Sequence, residues 1–229
     1  MFKNLKTDFF KNLSEDADTI VKNDPAARSK IEVFLCYPGF HAVLFYRLSH
    51  FLWGKGFYTF ARFVSSFARF LTGVDIHPAA RIGRRLFIDH ATGLVIGETT
   101  EIGDDVTLYH GVTLGGTSCE RVKRHPTLGD RVIVGAGAQV LGPIKIGDDA
   151  RIGSNAVVLA NVPAGATAVG VPAQIVKKRK KPEDVSFEAY AAEKTDPVLD
   201  AIEKLKAQVK KLEKEVAAKK SVDKSGENG

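Results

Sequence analysis

Six histidines stand in this chain of 229 residues, and two of them sit where a proton could be moved or an acid gripped. His90 lies in the run Asp89-His90-Ala91-Thr92-Gly93, with Asp75 fifteen residues upstream. A carboxylate beside one ring nitrogen fixes the imidazole tautomer and stabilises the imidazolium. The other nitrogen is then left to take a proton from a hydroxyl. Arg124-His125 closes a polar stretch that opens at Gly115-Gly116. An arginine fork matches the two oxygens of a carboxylate. The bland alternatives are a corner histidine satisfied by solvent and a mobile surface loop. His110, after Tyr109, is expected to line a wall, His77 to belong to a turn with Pro78, and His41 and His50 to be structural. His90, His110 and His125 do not share one period and form no tight pair, so no metal site is expected. Cys36 and Cys119 differ in context and suggest no disulfide, which fits a reducing cytoplasm. Cys119 lies in the polar loop.

The elements that must hold these residues are written in a six-residue period. Ile96, Ile102, Leu108, Leu114, Leu128, Val134, Val140, Ile146, Ile152 and Val158 recur along it, often followed by glycine. That period fits neither a helix face nor a plain strand. It predicts a left-handed parallel β-helix in which three short strands make one triangular coil. Two breaks interrupt it. Ile76, Ile82 and Ile88 keep the step, but the next corner is Ile96, so two extra residues fall beside His90. The second break is the polar run from Gly115 to Leu128. Insertions in a repeat protein commonly map to a binding face. A coil of three hexapeptides returns the chain to the same corner, so Asp75 and His90 are expected to meet across one coil step.

The flanks differ. Residues 1–72 read as helices, with Ser14 as a possible cap and Asp24-Pro25 as a helix start. Pro38-Gly39 is a break. His41, Leu44, Phe45 and Leu48 form one stripe, and Phe60, Phe63, Val64, Phe67 and Leu71 another, expected to pack on the β-helix end or on a second copy. The β-helix is expected over 73–176, a basic-then-acidic linker over 177–196, and a loose tail over 219–229. Between them, Val198, Ile202, Leu205, Val209, Leu212 and Val216 set a heptad seam, predicting a coiled-coil helix over 197–218. The fold class is therefore α+β: helices, then a β-helix, then a coiled coil.

Net charge is +6. It suggests an anionic small molecule, and no aromatic ladder accompanies the basic run Lys177–Lys181, so no nucleic-acid partner is expected. No apolar run reaches the ~18 residues of a membrane span. Dinucleotide and phosphate-loop patterns are absent. Gly115-Gly116 suits instead an extended pantetheine arm lying against the wall.

In these residues the chain resembles the serine O-acetyltransferase family of hexapeptide-repeat acyltransferases. The matching stretches are Asp75 to Ala80, Asp89-His90-Ala91-Thr92-Gly93, Gly97-Glu98-Thr99, Val112 to Thr117, Arg124-His125-Pro126 and Gly170-Val171-Pro172-Ala173. Asp24-Pro25-Ala26-Ala27 and Gly39-Phe40-His41-Ala42 match as well. Coverage is roughly residues 20–180. The hexapeptides alone are shared with other acyltransferases; the Asp-His-Ala-Thr-Gly, Gly-Gly-Thr and Arg-His-Pro set is specific.

The resemblance implies acetyl transfer from acetyl-CoA to L-serine, the first step of cysteine synthesis, with no permanently bound cofactor. It implies His90 as general base and Asp75 as its partner. Asp24, with Pro25, and Asp89 become contacts for the serine ammonium, Arg124 and His125 carboxylate binders, and Glu98 a neighbour of the base. Gly116, Gly135, Ala136 and Ser154 become the CoA wall, Ser154 replacing a common alanine. It further implies a homotrimer with sites between subunits, His90 and His125 coming from different chains, and feedback inhibition by L-cysteine. The short helical region argues for a trimer over a hexamer. The ending Glu227-Asn228-Gly229 lacks the terminal isoleucine by which relatives engage O-acetylserine sulfhydrylase, so that complex is not expected by this route. An acceptor such as homoserine or an amino sugar is the alternative. A non-catalytic trimeric scaffold and a metal-dependent hydro-lyase are more distant ones.

Overall fold

A computed structural model describes residues 5–178 and 202–213 of the chain. Four helices come first: α1 (Leu5–Asn23), α2 (Lys30–Cys36), α3 (Pro38–Gly54) and α4 (Tyr58–Thr72). Short strands follow and stack in three parallel faces. The first face holds Asp75–Ile76, Val95–Ile96, Thr113–Gly115, Gln139–Leu141 and Val157–Val158. The second holds Arg81–Ile82, Glu101–Ile102, Thr127–Leu128 and Lys145–Ile146. The third holds Phe87–Asp89, Thr107–Tyr109, Ile133–Val134, Arg151–Ile152 and Ala166–Val169. Gln174–Lys178 then pairs antiparallel on that last strand and runs just past the expected boundary at 176. The chain visits the faces in turn, as the left-handed β-helix that the period predicts.

Every repeat aliphatic from Ile96 to Val158 is buried. Two residues before them, Leu94, Val106, Val112, Val132, Ala138, Ala150 and Ala156 supply a second inward ring. The tube is thus filled by side chains stacked coil on coil, and the hydrophobic effect acts along its whole length. The glycine after a repeat aliphatic is there for closeness: a Cβ on Gly103 would run into the backbone of Gly129 one coil on. On one corner the coils are also stitched by carboxylates. Backbone N–H groups of Arg84, Asp104 and Asp130 donate to Asp104, Asp130 and Asp148 at 2.8, 2.8 and 3.0 Å.

The first coil has no coil before it, so its edge must be satisfied otherwise. The helices do this. Ser65 Oγ donates to the Ile76 carbonyl at 2.7 Å, and His50 Nδ1 donates to Pro78 O at 2.7 Å. Buried Tyr46 donates to Ala80 O at 2.7 Å and accepts from Ile82 N–H at 3.2 Å. Gly39 lies so close to the strand Phe87–Asp89 that a Cβ would collide with the Ile88 carbonyl.

That closeness gives the contact with the β-helix to residues other than the predicted stripes, of whose two expected partners, the β-helix end or a second copy, the first is thereby set aside. The buried face of α3 is Gly39, Phe40, Ala42, Val43 and Tyr46, not the stripe His41, Leu44, Phe45 and Leu48. On α4 it is Ala61, Ser65, Ala68 and Thr72, whereas Phe60, Phe63, Phe67 and Leu71 stand exposed. Only small residues let the helix approach the coil edge. Asp24-Pro25 ends a helix instead of starting one: Asp24 N–H bonds Ile20 O at 2.9 Å, and Ala26 N–H closes a turn on Asp24 Oδ1 at 2.8 Å. Ser14 lies within α1, and Ser29 caps α2 by accepting from Glu32 N–H.

Residues 202–213 form a separate helix on which Ile202, Leu205, Val209 and Leu212 are exposed. The remainder of the expected coiled coil, the linker beyond 178 and the tail lie outside the described residues. Among those described, no helix is long and apolar enough to cross a membrane.

Tyr46→Phe leaves a buried carbonyl and a part-buried N–H on the first coil without their partner. The expected loss is about 1–3 kcal/mol of unfolding free energy, read by urea denaturation. A stability equal to the parent would show that the hydroxyl does not cap the β-helix.

Candidate functional site

Register shows where the extra residues go. Asp75 pairs with Val95, Val95 with Thr113, Thr113 with Gln139, and Gln139 with Val157. Coils of 18 residues thus alternate with one of 20 and one of 26. Both long coils bring candidate residues outward, to different corners of the triangle.

The first corner joins the third face to the first. Asp89 ends its strand, and His90 and Ala91 follow at φ 56° each, in the left-handed region that residues with a Cβ seldom occupy. This double turn throws the His90 side chain outward, 74% exposed. Its ring meets His110 edge-on at 5.7 Å, and its Nε2 lies 3.9 Å from Asp89 Oδ2. The turn after α1 adds Asp24, whose Oδ2 accepts from Tyr37 OH at 2.7 Å; Pro25 is exposed beside it. Burial raises the Asp89 carboxyl above its ordinary range; the His90 charge opposes this and that of Asp24 reinforces it. Gly135, Ala136 and Ser154 continue the same corner on later coils, and the buried Ser154 Oγ has no hydrogen-bond partner among the described residues.

The second corner joins the first face to the second. The long loop returns here and lays His125 into the coil, 7% exposed. Thr99 organises it. Its Oγ1 accepts from the N–H groups of Arg124 and His125 at 3.1 Å each, and its own N–H donates to His125 Nδ1 at 3.2 Å. Nδ1 is therefore an acceptor, so the proton of the neutral ring sits on Nε2. Burial, then the Arg124 charge, push the His125 pKa down. Arg124 Nη2 donates to Glu98 Oε2 at 3.0 Å and Nη1 to Ser118 O at 3.3 Å. Gly116 faces the His125 ring, and a Cβ on Gly97 would overlap it. His77 joins this corner with its Nδ1 accepting from Ala79 N–H at 3.0 Å and its ring against Trp53. Burial, then the Arg62 charge, lower its pKa to about 4.

One expected contact is not made within the chain. Asp75 accepts from Arg69 Nη1 at 3.3 Å, and the carboxylate near His90 is Asp89. Asp75 lies past the corner, paired with Val95, whereas His90 still precedes it on the next coil. His90 and His125 likewise stand at opposite edges of the first face. The sequence reading gave no role to Tyr37 or Thr99. Thr99 was within reach, inside the Gly97-Glu98-Thr99 match. Tyr37 carries no signal beyond its place before Pro38. Cys119 is exposed and free, and among the described residues no cluster of three or more His, Cys, Asp or Glu could hold a metal ion.

Known proteins resemble the chain in the same elements. The model of the bacterial transferase hexapeptide family (six repeats) matches residues 125–160. A serine acetyltransferase of Helicobacter pylori is 62% identical over 167 residues, 73% of this chain and 98% of that protein. One from Bacillus subtilis is 47% identical over 212 residues, 93% of this chain and 97% of the relative. Among solved structures, Neisseria gonorrhoeae serine acetyltransferase in complex with serine matches with a TM-score of 0.71 at 44% identity, covering 75% of this chain and 70% of that one. Brucella abortus serine acetyltransferase in complex with coenzyme A matches at 0.72 and 42%, covering 75% and 69%.

Gly97→Ala forces the His125 ring out of its pocket. Its titration, followed by the imidazole proton resonances, should move up toward the ordinary histidine value near 6.5, because burial is what holds it down. An unchanged titration would show that Gly97 does not make room for the ring.

Proposed function

The chain belongs to the serine acetyltransferase family, and on that premise we propose how its residues move an acetyl group from acetyl-CoA to the hydroxyl of L-serine. The observation that carries the reading is the His90 corner, an outward imidazole on a left-handed backbone beside Asp24 and Asp89. A serine hydroxyl is too weak an acid to ionise unaided at neutral pH, so its attack needs a positioned base. His90 takes the proton as the serine oxygen adds to the thioester carbonyl. The tetrahedral intermediate then collapses, the C–S bond breaks, and the imidazolium protonates the departing CoA sulfur. O-acetyl-L-serine and CoA are the products, and no acetyl-cysteine is formed on the way.

The two corners supply opposite charges for a zwitterion. Asp24 and Asp89, with Pro25 beside them, take the ammonium. Arg124, aligned by Glu98, and the Nε2–H of His125 take the carboxylate. Homoserine also carries both charges but is longer, and an amino sugar lacks the acid. Acetyl-CoA lies along Gly135, Ala136 and Ser154 on one side and Gly116 on the other. Because one chain sets these corners at opposite edges of a face, we assign the complete site to the seam between two chains of a homotrimer. The seam of 197–218 does not by itself choose two strands over three; we assign it to a three-stranded coiled coil because the proposed site calls for a trimer. L-cysteine, nearly the shape of serine, is the inhibitor such a site would admit. Asp75 supports His90 only with its Arg69 ion pair open. Asp75→Asn should then lower turnover, with Arg69→Ala leaving it intact. Two free cysteines fit a cytoplasmic setting.

The test is thiol release from acetyl-CoA. L-Serine should give turnover and glucosamine none. His90→Ala should lose at least about 100-fold in kcat; an undiminished rate would sink the general-base role. A chain ending at residue 192 should sediment as a looser trimer, and equal stability to dilution would remove the coiled coil from the assembly.

A further inference from the structure

Tyr37 stands between the helical layer and the acceptor corner, and no step above uses it. Its ring packs in a small second core built from Ala17, Ile20, Val33, Phe40 and Phe87. Phe87 and Asp89 share the outward side of one strand, two residues apart, so this core reaches the edge of the site. From that anchored ring the phenol reaches Asp24 and donates to its Oδ2 at 2.7 Å, while Ala26 N–H holds Oδ1 at 2.8 Å. Both oxygens of Asp24 are thereby oriented by neutral donors. No cation of the described chain bonds Asp24, although Asp89 is close enough for the two charges to act on each other.

From this geometry we infer that Tyr37 is a positioning residue that makes the Asp24–Asp89 corner selective for acceptors carrying a protonated amine. The inference rests on the reading above, in which this corner receives the acceptor. Two carboxylates left close together repel, and one of them gains a proton unless a cation lies between. A phenol donor gives the Asp24 carboxylate a fixed orientation without adding a charge. The lone pairs it leaves over then call for a ligand with several N–H donors and no negative charge nearby, which is what a primary ammonium offers. Tyr37 can hold that role across the working range, since burial first, then the hydrogen bond and charge of Asp24, raise its hydroxyl to about 12. The other charges that bear on the pair are Glu32 on α2 and His90 and His110 on the coil corner. Glu32 is directed to the Arg28 N–H and not to the pair.

The experiment compares Tyr37→Phe with the parent by thiol-release kinetics and by calorimetric titration of L-serine into the protein. The expected result is a rise of about tenfold in both KM and Kd for L-serine, the range for a hydrogen bond to a charged group. KM for acetyl-CoA and kcat should change less than twofold. The acidic limb of kcat/KM for L-serine should move to higher pH, since the carboxylate pair loses a donor to its ionised form. In an Asp24→Asn background the same substitution should have little further effect. Unchanged serine affinity with an unchanged pH profile overturns the inference. So does a uniform loss in kcat for all substrates, or a variant that fails to fold, either of which would make Tyr37 a structural residue. If the parent neither binds nor acetylates L-serine, the acceptor reading itself falls. If the parent does and Tyr37→Phe matches it, only the role of Tyr37 falls.

Discussion

Backbone pairing between successive coils is the constraint on which the structure depends. A strand of two or three residues has almost no stability of its own, and it persists because the strands above and below fix its register. Each coil must therefore return to its starting corner after the same path. Where the chain carries more residues than that path needs, the surplus must leave the wall. The 20-residue coil sheds its surplus as the left-handed pair His90-Ala91, and the 26-residue coil as the loop ending in Arg124-His125. The site is made of what the ladder cannot absorb. That explains how a scaffold rich in repeated small and aliphatic residues presents charged ones rigidly. Their backbones are held by regular coils on either side.

The helices obey the same constraint from its open end. A β-helix cannot simply stop, because the first coil would offer an unpaired edge. Tyr46, His50 and Ser65 supply side-chain hydrogen bonds where another coil would have supplied backbone ones. That task needs close approach, hence Gly39, Ala42, Ala61 and Ala68 on the contact side. The phenylalanines of α4 are left outside as an apolar face on the described chain. The same layer carries Asp24 and Tyr37 to the corner of Asp89 and His90, so capping the tube and furnishing that corner are one packing problem.

The tube was legible in the sequence because its period is enforced at every coil. Each aliphatic from Ile96 to Val158 is inward where the period puts it, and the two breaks fall where the coils lengthen. The helical faces were not legible by the same logic. Periodicity finds the largest apolar stripe; in α4 the phenylalanines are not the residues that touch the core, and in α3 Phe40, Val43 and Tyr46 touch it beside Gly39 and Ala42, off the expected stripe. Small residues were the signal, and they carry little hydrophobic weight. Of the site, Asp89, His90 and Asp24 converge, and Glu98, Gly116, Arg124 and His125 converge, but as two groups. A coil-counting argument brings Asp75 near His90 in height along the tube. It does not say on which side of the corner each side chain stands, and Arg69 from α4 could not be foreseen from the repeats.

Burial divides the labour among the histidines. His77 and His125 each accept a backbone N–H at Nδ1 and are held neutral by desolvation, so each presents a fixed Nε2–H and cannot readily take a second proton. His90 is exposed and no backbone donor occupies its ring; its neighbours are a carboxylate and another imidazole. The residues on either side of the first face thus differ in kind: one corner holds the donors of Arg124 and His125, and the other holds the carboxylates of Asp24 and Asp89 around His90. On the proposed reading, the ammonium of L-serine would meet one corner and its carboxylate the other, where two copies of the chain lie side by side. In one chain the ladder sets these corners at opposite edges of the first face, which is the separation that the proposed seam between chains would close.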